Sequence, residues 1–134
     1  MMERIRLVAG VVLREGNAFL LVQEKLPPAI GQWNLPAGKV EDGMTVEQTA
    51  VKEAKEETGF DVKIRRKIGV YPGGGVIRHA FEAEIVGGKL LYPKDEILDA
   101  GWFSIEQIEE MKPILRGDWV WTAIQSALRG SKDH

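Results

Sequence analysis

Gly38–Phe60, GKVEDGMTVEQTAVKEAKEETGF, is the stretch whose reading decides the fold. Within it Thr45-Val46-Glu47-Gln48 has the Ser/Thr-x-x-Glu/Gln form of a capping box. Gly59 stands where a left-handed C-cap residue belongs, so the two ends predict a helix over Val46–Thr58. Glu53, Glu56 and Glu57 are spaced i, i+3 and i+4, which places all three on one face of the last turn. Like-charged neighbours at these offsets cost about 0.2 to 0.5 kcal/mol per pair. The negative end of the helix dipole adds about 0.3 to 1 kcal/mol per carboxylate. Local stability therefore does not select this pattern. Two readings stand: a solvated face eased by the Lys52–Glu56 pair and Lys55, or three carboxylates gathered for a hard divalent cation, Mg²⁺ or Mn²⁺.

Upstream, Ile5–Leu13 and Ala18–Gln23 alternate apolar and polar residues around Glu15-Gly16-Asn17 and read as a hairpin. Glu24–Gln32 reads as a loop, Trp33–Leu35 as a short strand and Pro36-Ala37-Gly38 as a turn leading to the helix. Downstream, Asp61–Val70, Val76–Ile85 and Lys89–Tyr92 read as strands, and Tyr71–Gly75 as a loop. Asp99–Phe103 is expected as a short strand before a helix capped by Ser104 with Gln107 and ended by Pro113. A third helix is expected over Asp118–Leu128. The sum is an α+β fold, a mixed α/β/α sandwich whose mostly antiparallel sheet is flanked by helices.

The 134 residues, 44% hydrophobic and 28% charged, suit a single domain, expected over 1–134. Cysteine is absent, which excludes disulfides, thiolate metal sites and cysteine nucleophiles and suits the cytoplasm. The apolar runs Val11–Leu13 and Ala18–Val22 fall far short of the roughly 20 residues that span a bilayer, so no membrane role is expected. Eighteen basic against twenty acidic side chains give a net charge of -2, which argues against a nucleic-acid polymer as partner and requires local neutralisation for any anionic substrate. Trp119 and Trp121 are two residues apart and cannot share a helical face, so one of them is expected at the surface, where a homodimer contact is one use.

Trp33-Asn34-Leu35-Pro36-Ala37-Gly38, followed at fixed spacing by Glu53, Ala54, Glu56, Glu57, Gly59 and Phe60, resembles the signature of the Nudix hydrolase family, in its MutT-like minimal form. The pattern is G-x5-E-x7-R-E-U-x-E-E-x-G-U, with U a bulky or aliphatic residue. The opening hairpin and Glu96–Phe103 are similar to the family as well. Met44 and Lys52 depart from it, replacing a Glu and an Arg that typically pair to brace the loop on the helix. Their apolar stems could pack together, or Glu41 or Glu47 could bind Lys52.

The resemblance implies Mg²⁺- or Mn²⁺-dependent hydrolysis of a diphosphate linkage in a nucleoside diphosphate derivative or nucleoside triphosphate. Glu53, Glu56, Glu57 and the Gly38 carbonyl would be the metal ligands. Glu53 or Glu96 is the candidate general base, Glu96 reading equally well as a surface carboxylate. Arg78 and His79 are candidates for phosphate or leaving group, although adjacent strand residues face opposite ways. Trp33 is a candidate base-stacking platform or a core residue. The alternative activity is a non-catalytic nucleotide-sensing domain, motivated by Met44 and Lys52.

Overall fold

The computed structural model describes residues 4–131. Strands β1 (Arg6–Glu15) and β2 (Ala18–Glu24) form the expected hairpin, but they pair only beside its turn, at Arg14↔Phe19 and Glu15↔Ala18. Beyond that they diverge. β1 runs antiparallel to β4 (Ala37–Lys39) and parallel to β6 (Val76–Gly88), which in turn pairs antiparallel with β5 (Phe60–Gly73). β2 pairs antiparallel with β3 (Trp33–Asn34) and β7 (Ile97–Ser104). The sheet is thus mixed, with one parallel pair among antiparallel ones.

Helices cover both faces. α1 (Val46–Thr58) lies on one; α2 (Ile105–Glu110) and α3 (Asp118–Ser131) lie on the other. Side chains of a strand alternate between faces, and the packing follows that period. Ala9, Val11, Leu13, Phe81 and Ala83 pack with Ala50 and Ala54 of α1, whereas Val12 and Ala80 pack with Val120, Ala123 and Ile124 of α3. Ala50 and Ala54 are fully buried, and their small side chains let α1 lie close on the sheet.

α1 begins and ends where its caps predict. Thr45 Oγ1 accepts from Gln48 N at 3.0 Å, Gln48 Oε1 accepts from Thr45 N at 3.0 Å, and Gly59 closes the helix in the left-handed region. Three expectations are corrected. Tyr71–Gly75 is no open loop: β5 and β6 extend into it and close through Gly74-Gly75, both at positive φ as a two-residue hairpin turn requires. Lys89–Tyr92 is no strand, because β6 pairs out at Phe60↔Gly88 and the chain preceding Phe60 is already the end of α1, which takes a single backbone bond, from Leu91 N to Thr58 O at 2.8 Å, and offers no strand. Ala37–Lys39 is a strand, not a turn. Among the described residues no helix is long and apolar enough to cross a membrane. Thr45→Ala removes the cap and is expected to lower stability by about 1 kcal/mol, read as a lower urea midpoint at unchanged slope.

Candidate active site

The site is built where the last turns of α1 meet β4. Ala54 is buried against the sheet, so at helical spacing Glu57 comes down beside β4, where its Oε1 accepts from Ala37 N at 3.1 Å. Its side chain is buried. Glu53, one turn earlier, lies over Gly38, and a Cβ at position 38 would overlap the Glu53 carboxylate, so this close approach requires glycine. Glu56 is half exposed. Lys52 Nζ stands 3.4 Å from Glu56 Oε1 and 3.7 Å from Glu53 Oε2, so its ammonium goes to these two carboxylates and not to Glu41 or Glu47.

The electrostatics of the cluster follow from burial. Desolvation, then the neighbouring Glu56 carboxylate, push the Glu53 carboxyl up to about 7, with Lys52 pulling the other way. Desolvation, then Glu53, hold the Glu57 carboxyl well above its usual range against the Ala37 N–H that favours its charged form. Glu96 contributes to both, and Glu24 to Glu57. Glu96 is exposed, and its carbonyl accepts from Lys25 N at 3.1 Å, which ties its loop to the end of β2. Glu24 was not a sequence candidate. It reaches the cluster through a bulge in the β2–β7 ladder that pairs it with Ile97, and no local pattern announces that pairing.

The expected substrate-side residues separate. Arg78 and His79 point to opposite faces. Arg78 joins Ala37 and Gly38 in a cavity of about 260 Å³ on the α3 face, which Glu24, Asn34, Arg116 and Trp119 also line. His79 lies on the α1 face, with Lys67 Nζ 2.9 Å from its Nδ1, and is not part of the cavity. Trp33 is also corrected: it is buried in the core with its ring edge-on to Phe103 at 5.0 Å, so its faces are not available for stacking. Trp119 is buried, whereas Trp121 is partly exposed with Lys112 Nζ 4.5 Å from its ring centre, so the two occupy different sides of α3. Arg116 and Trp119 reach the cavity because Leu115 bridges to Trp33 and Arg116 N donates to Trp33 O at 2.8 Å.

Among the described residues no three His, Cys, Asp or Glu side chains stand close enough to ligate one ion as placed. The donor chemistry nevertheless fits a hard divalent cation: carboxylate oxygens gathered at one place, with two of the carboxyl groups raised by burial and then by their acidic neighbours.

A pH dependence follows. The unfolded chain loses the Glu53 proton near 4.5, the folded chain near 7, so between these values the native state holds more protons and stability falls as pH rises. Glu57 acts in the same direction. In a chelating buffer the melting temperature of the wild type is expected to drop from pH 5 to pH 8. Glu57→Gln is expected to flatten that drop, and millimolar Mg²⁺ to raise the wild-type value at pH 8.

The NUDIX domain family model matches residues 4–123. A NUDIX hydrolase from Nitrosomonas europaea has the same fold, with a TM-score of 0.85 at 26% identity over 95% of this chain and 90% of that one. The ADP-ribose pyrophosphatase of Methanocaldococcus jannaschii is 35% identical over 75% of this chain and 62% of its own length. The NAD-capped RNA hydrolase NudC of Pectobacterium carotovorum is 34% identical over 77% of this chain and 40% of its own length. Across the first curated relatives the matched region spans 31% to 62% of their length. A domain match over nearly all the described residues, joined to a solved member that superimposes along the chain, establishes that this protein belongs to the NUDIX family.

Proposed function

We propose that the chain hydrolyses a diphosphate linkage in a nucleoside diphosphate derivative or nucleoside triphosphate, with water attacking phosphorus and Mg²⁺ or Mn²⁺ required. The observation that carries this reading is the placement of Glu53 and Glu57 against Gly38 and Ala37, at the edge of a cavity lined by arginines. Relatives named for ADP-ribose and for NAD-capped RNA support a nucleotide substrate. Glu53, Glu56, Glu57 and the Gly38 carbonyl are the proposed ligands. A divalent cation bound there would neutralise phosphate oxygens and lower the pKa of the attacking water.

The chain's own residues have separate tasks. Glu57 is oriented by the Ala37 N–H, which keeps one of its oxygens in place. Glu53, as the alternative to its role as a ligand, is one proposed base, and exposed Glu96 is the other. Lys52 holds Glu53 and Glu56 and competes for the negative charge that a cation needs. That competition is also what favours the second reading, a nucleotide sensor without turnover. The absence of cysteine supports a reducing, cytoplasmic setting.

Purified protein given a nucleotide panel is expected to release phosphate or nucleoside monophosphate with Mg²⁺ and not with chelator. Loss of even an outer ligand partner costs about 10- to 100-fold, so Glu57→Gln is expected to lose about 100-fold or more of turnover. Full activity in that variant removes the ligand assignment. Nucleotide binding without turnover establishes the sensor reading instead. Lys52→Met is expected to lower the Mg²⁺ concentration for half-maximal rate several-fold, measured by titration at saturating substrate.

A further inference from the structure

The turn that carries Glu96 is fastened on both sides. Upstream, Leu91 N donates to Thr58 O at 2.8 Å, which ties the chain leaving β6 to the end of α1. Within the turn, Glu96 N and Ile97 N both donate to Pro93 O, at 3.1 and 2.9 Å. On the other side Lys25 holds it twice. Lys25 N donates to Glu96 O at 3.1 Å, and Lys25 Nζ donates to Lys94 O at 2.8 Å. Lys25 and Lys94 are 69 positions apart, so the side-chain bond is a tertiary contact that no local pattern produces.

A break in the ladder brings the two together. β2 and β7 pair Gln23 with Asp99 but Glu24 with Ile97, so Leu98 is an extra residue that bulges out of register. Beyond the bulge Lys25 N meets Glu96 O, and the flexible stem of Lys25 spans the remaining distance to the Lys94 carbonyl. An ammonium donating to a carbonyl makes a stronger bond than a neutral donor does. Ile97 is buried, whereas Lys94, Asp95 and Glu96 are exposed, so the Glu96 carboxylate takes its position from the backbone of the turn. That position bears on the acidic cluster: burial and nearer charges raise the Glu53 and Glu57 carboxyls, and Glu96 adds to both. Lys25 does not line the arginine-bearing cavity.

We propose that Lys25 is a positioning residue for cleavage: by holding the Lys94 carbonyl it locks turn 93–97 and keeps the Glu96 carboxylate beside those of Glu53 and Glu57. The proposal rests on the reading of these carboxylates as the place of cleavage, with Glu96 as the base. A lysine at the rim of such a site has a second possible task, direct contact with a substrate phosphate. The bond to Lys94 O engages its ammonium within the protein and so favours the turn. Lys25 acts through Glu96 and not on the reacting atoms.

The test is a double-variant cycle with Mg²⁺, on whichever nucleotide of the panel the wild type cleaves. Glu96→Gln is expected to lose about 100-fold in kcat, as removal of a general base does. Lys25→Met keeps the apolar stem and removes the ammonium. It is expected to lose about tenfold in kcat at unchanged KM, the effect of a displaced catalytic group. Lys25→Arg, which can donate to the same carbonyl, is expected to restore most of that loss. In the Glu96→Gln background, Lys25→Met is expected to cost about twofold at most, because residues that act as one unit are not additive. An equal loss in both backgrounds, a loss in KM instead of kcat, or full activity in Glu96→Gln overturns the proposal. Hydrogen exchange gives a readout free of turnover. The Ile97 amide is expected to exchange about fivefold or more faster in Lys25→Met, with a native circular dichroism spectrum, and at the wild-type rate in Lys25→Arg. Unchanged exchange in Lys25→Met also overturns the proposal. If the wild type cleaves nothing, the cleavage reading has failed by itself, and the exchange of Ile97 still decides whether Lys25 holds the turn.

Discussion

One hydrogen bond organises the site: the Ala37 N–H donating to the buried Glu57 carboxylate across twenty residues of chain. A carboxylate taken out of water is unfavourable unless its oxygens are satisfied. This contact meets part of that demand, at one oxygen, and at the same time fixes α1 against β4. Everything needed for the approach is small or turned away: Ala50 and Ala54 under the helix and Gly38 beneath Glu53. Glu53 and Glu57 are therefore held close to one another and partly dehydrated, which is why their protons are retained to higher pH than an isolated carboxyl retains them.

The sheet keeps opposite charges apart and brings them together along one edge. Acidic side chains collect where α1 ends, and guanidinium groups collect on the α3 face. β4 lies at the boundary, its Ala37 and Gly38 touching both groups. A strand's two-residue period then sorts neighbours in the chain, sending Arg78 into the cavity and His79 towards Lys67. Positive charge is concentrated there despite the acidic balance of the molecule.

Elements governed by local chemistry were legible in advance. α1 has the predicted bounds because a capping box and a left-handed glycine are contacts within a few residues. The same holds for Ser104 with Gln107 at the start of α2. Reading failed where pairing with a distant segment decides. Lys89–Tyr92 has strand-like composition and no partner strand, and Ala37–Lys39 looks like a turn but is captured by β1. Lys52 turned to the nearer acids on its own helix, Glu53 and Glu56, because at one residue and one turn they are already within reach.

The sequence by itself determined the acidic helix, its bounds, the glycine beneath it and the family likeness, all of them matters of spacing along one stretch of chain. Only the tertiary structure decided that Trp33 is core, that His79 lies off the site, and that Glu24, Asn34, Arg116 and Trp119 adjoin it. The physical reason is the same in each case. Which side of a sheet a residue occupies, and what stands opposite it, depends on strand register and crossover between segments far apart in the chain, and no local pattern of residue types carries that register.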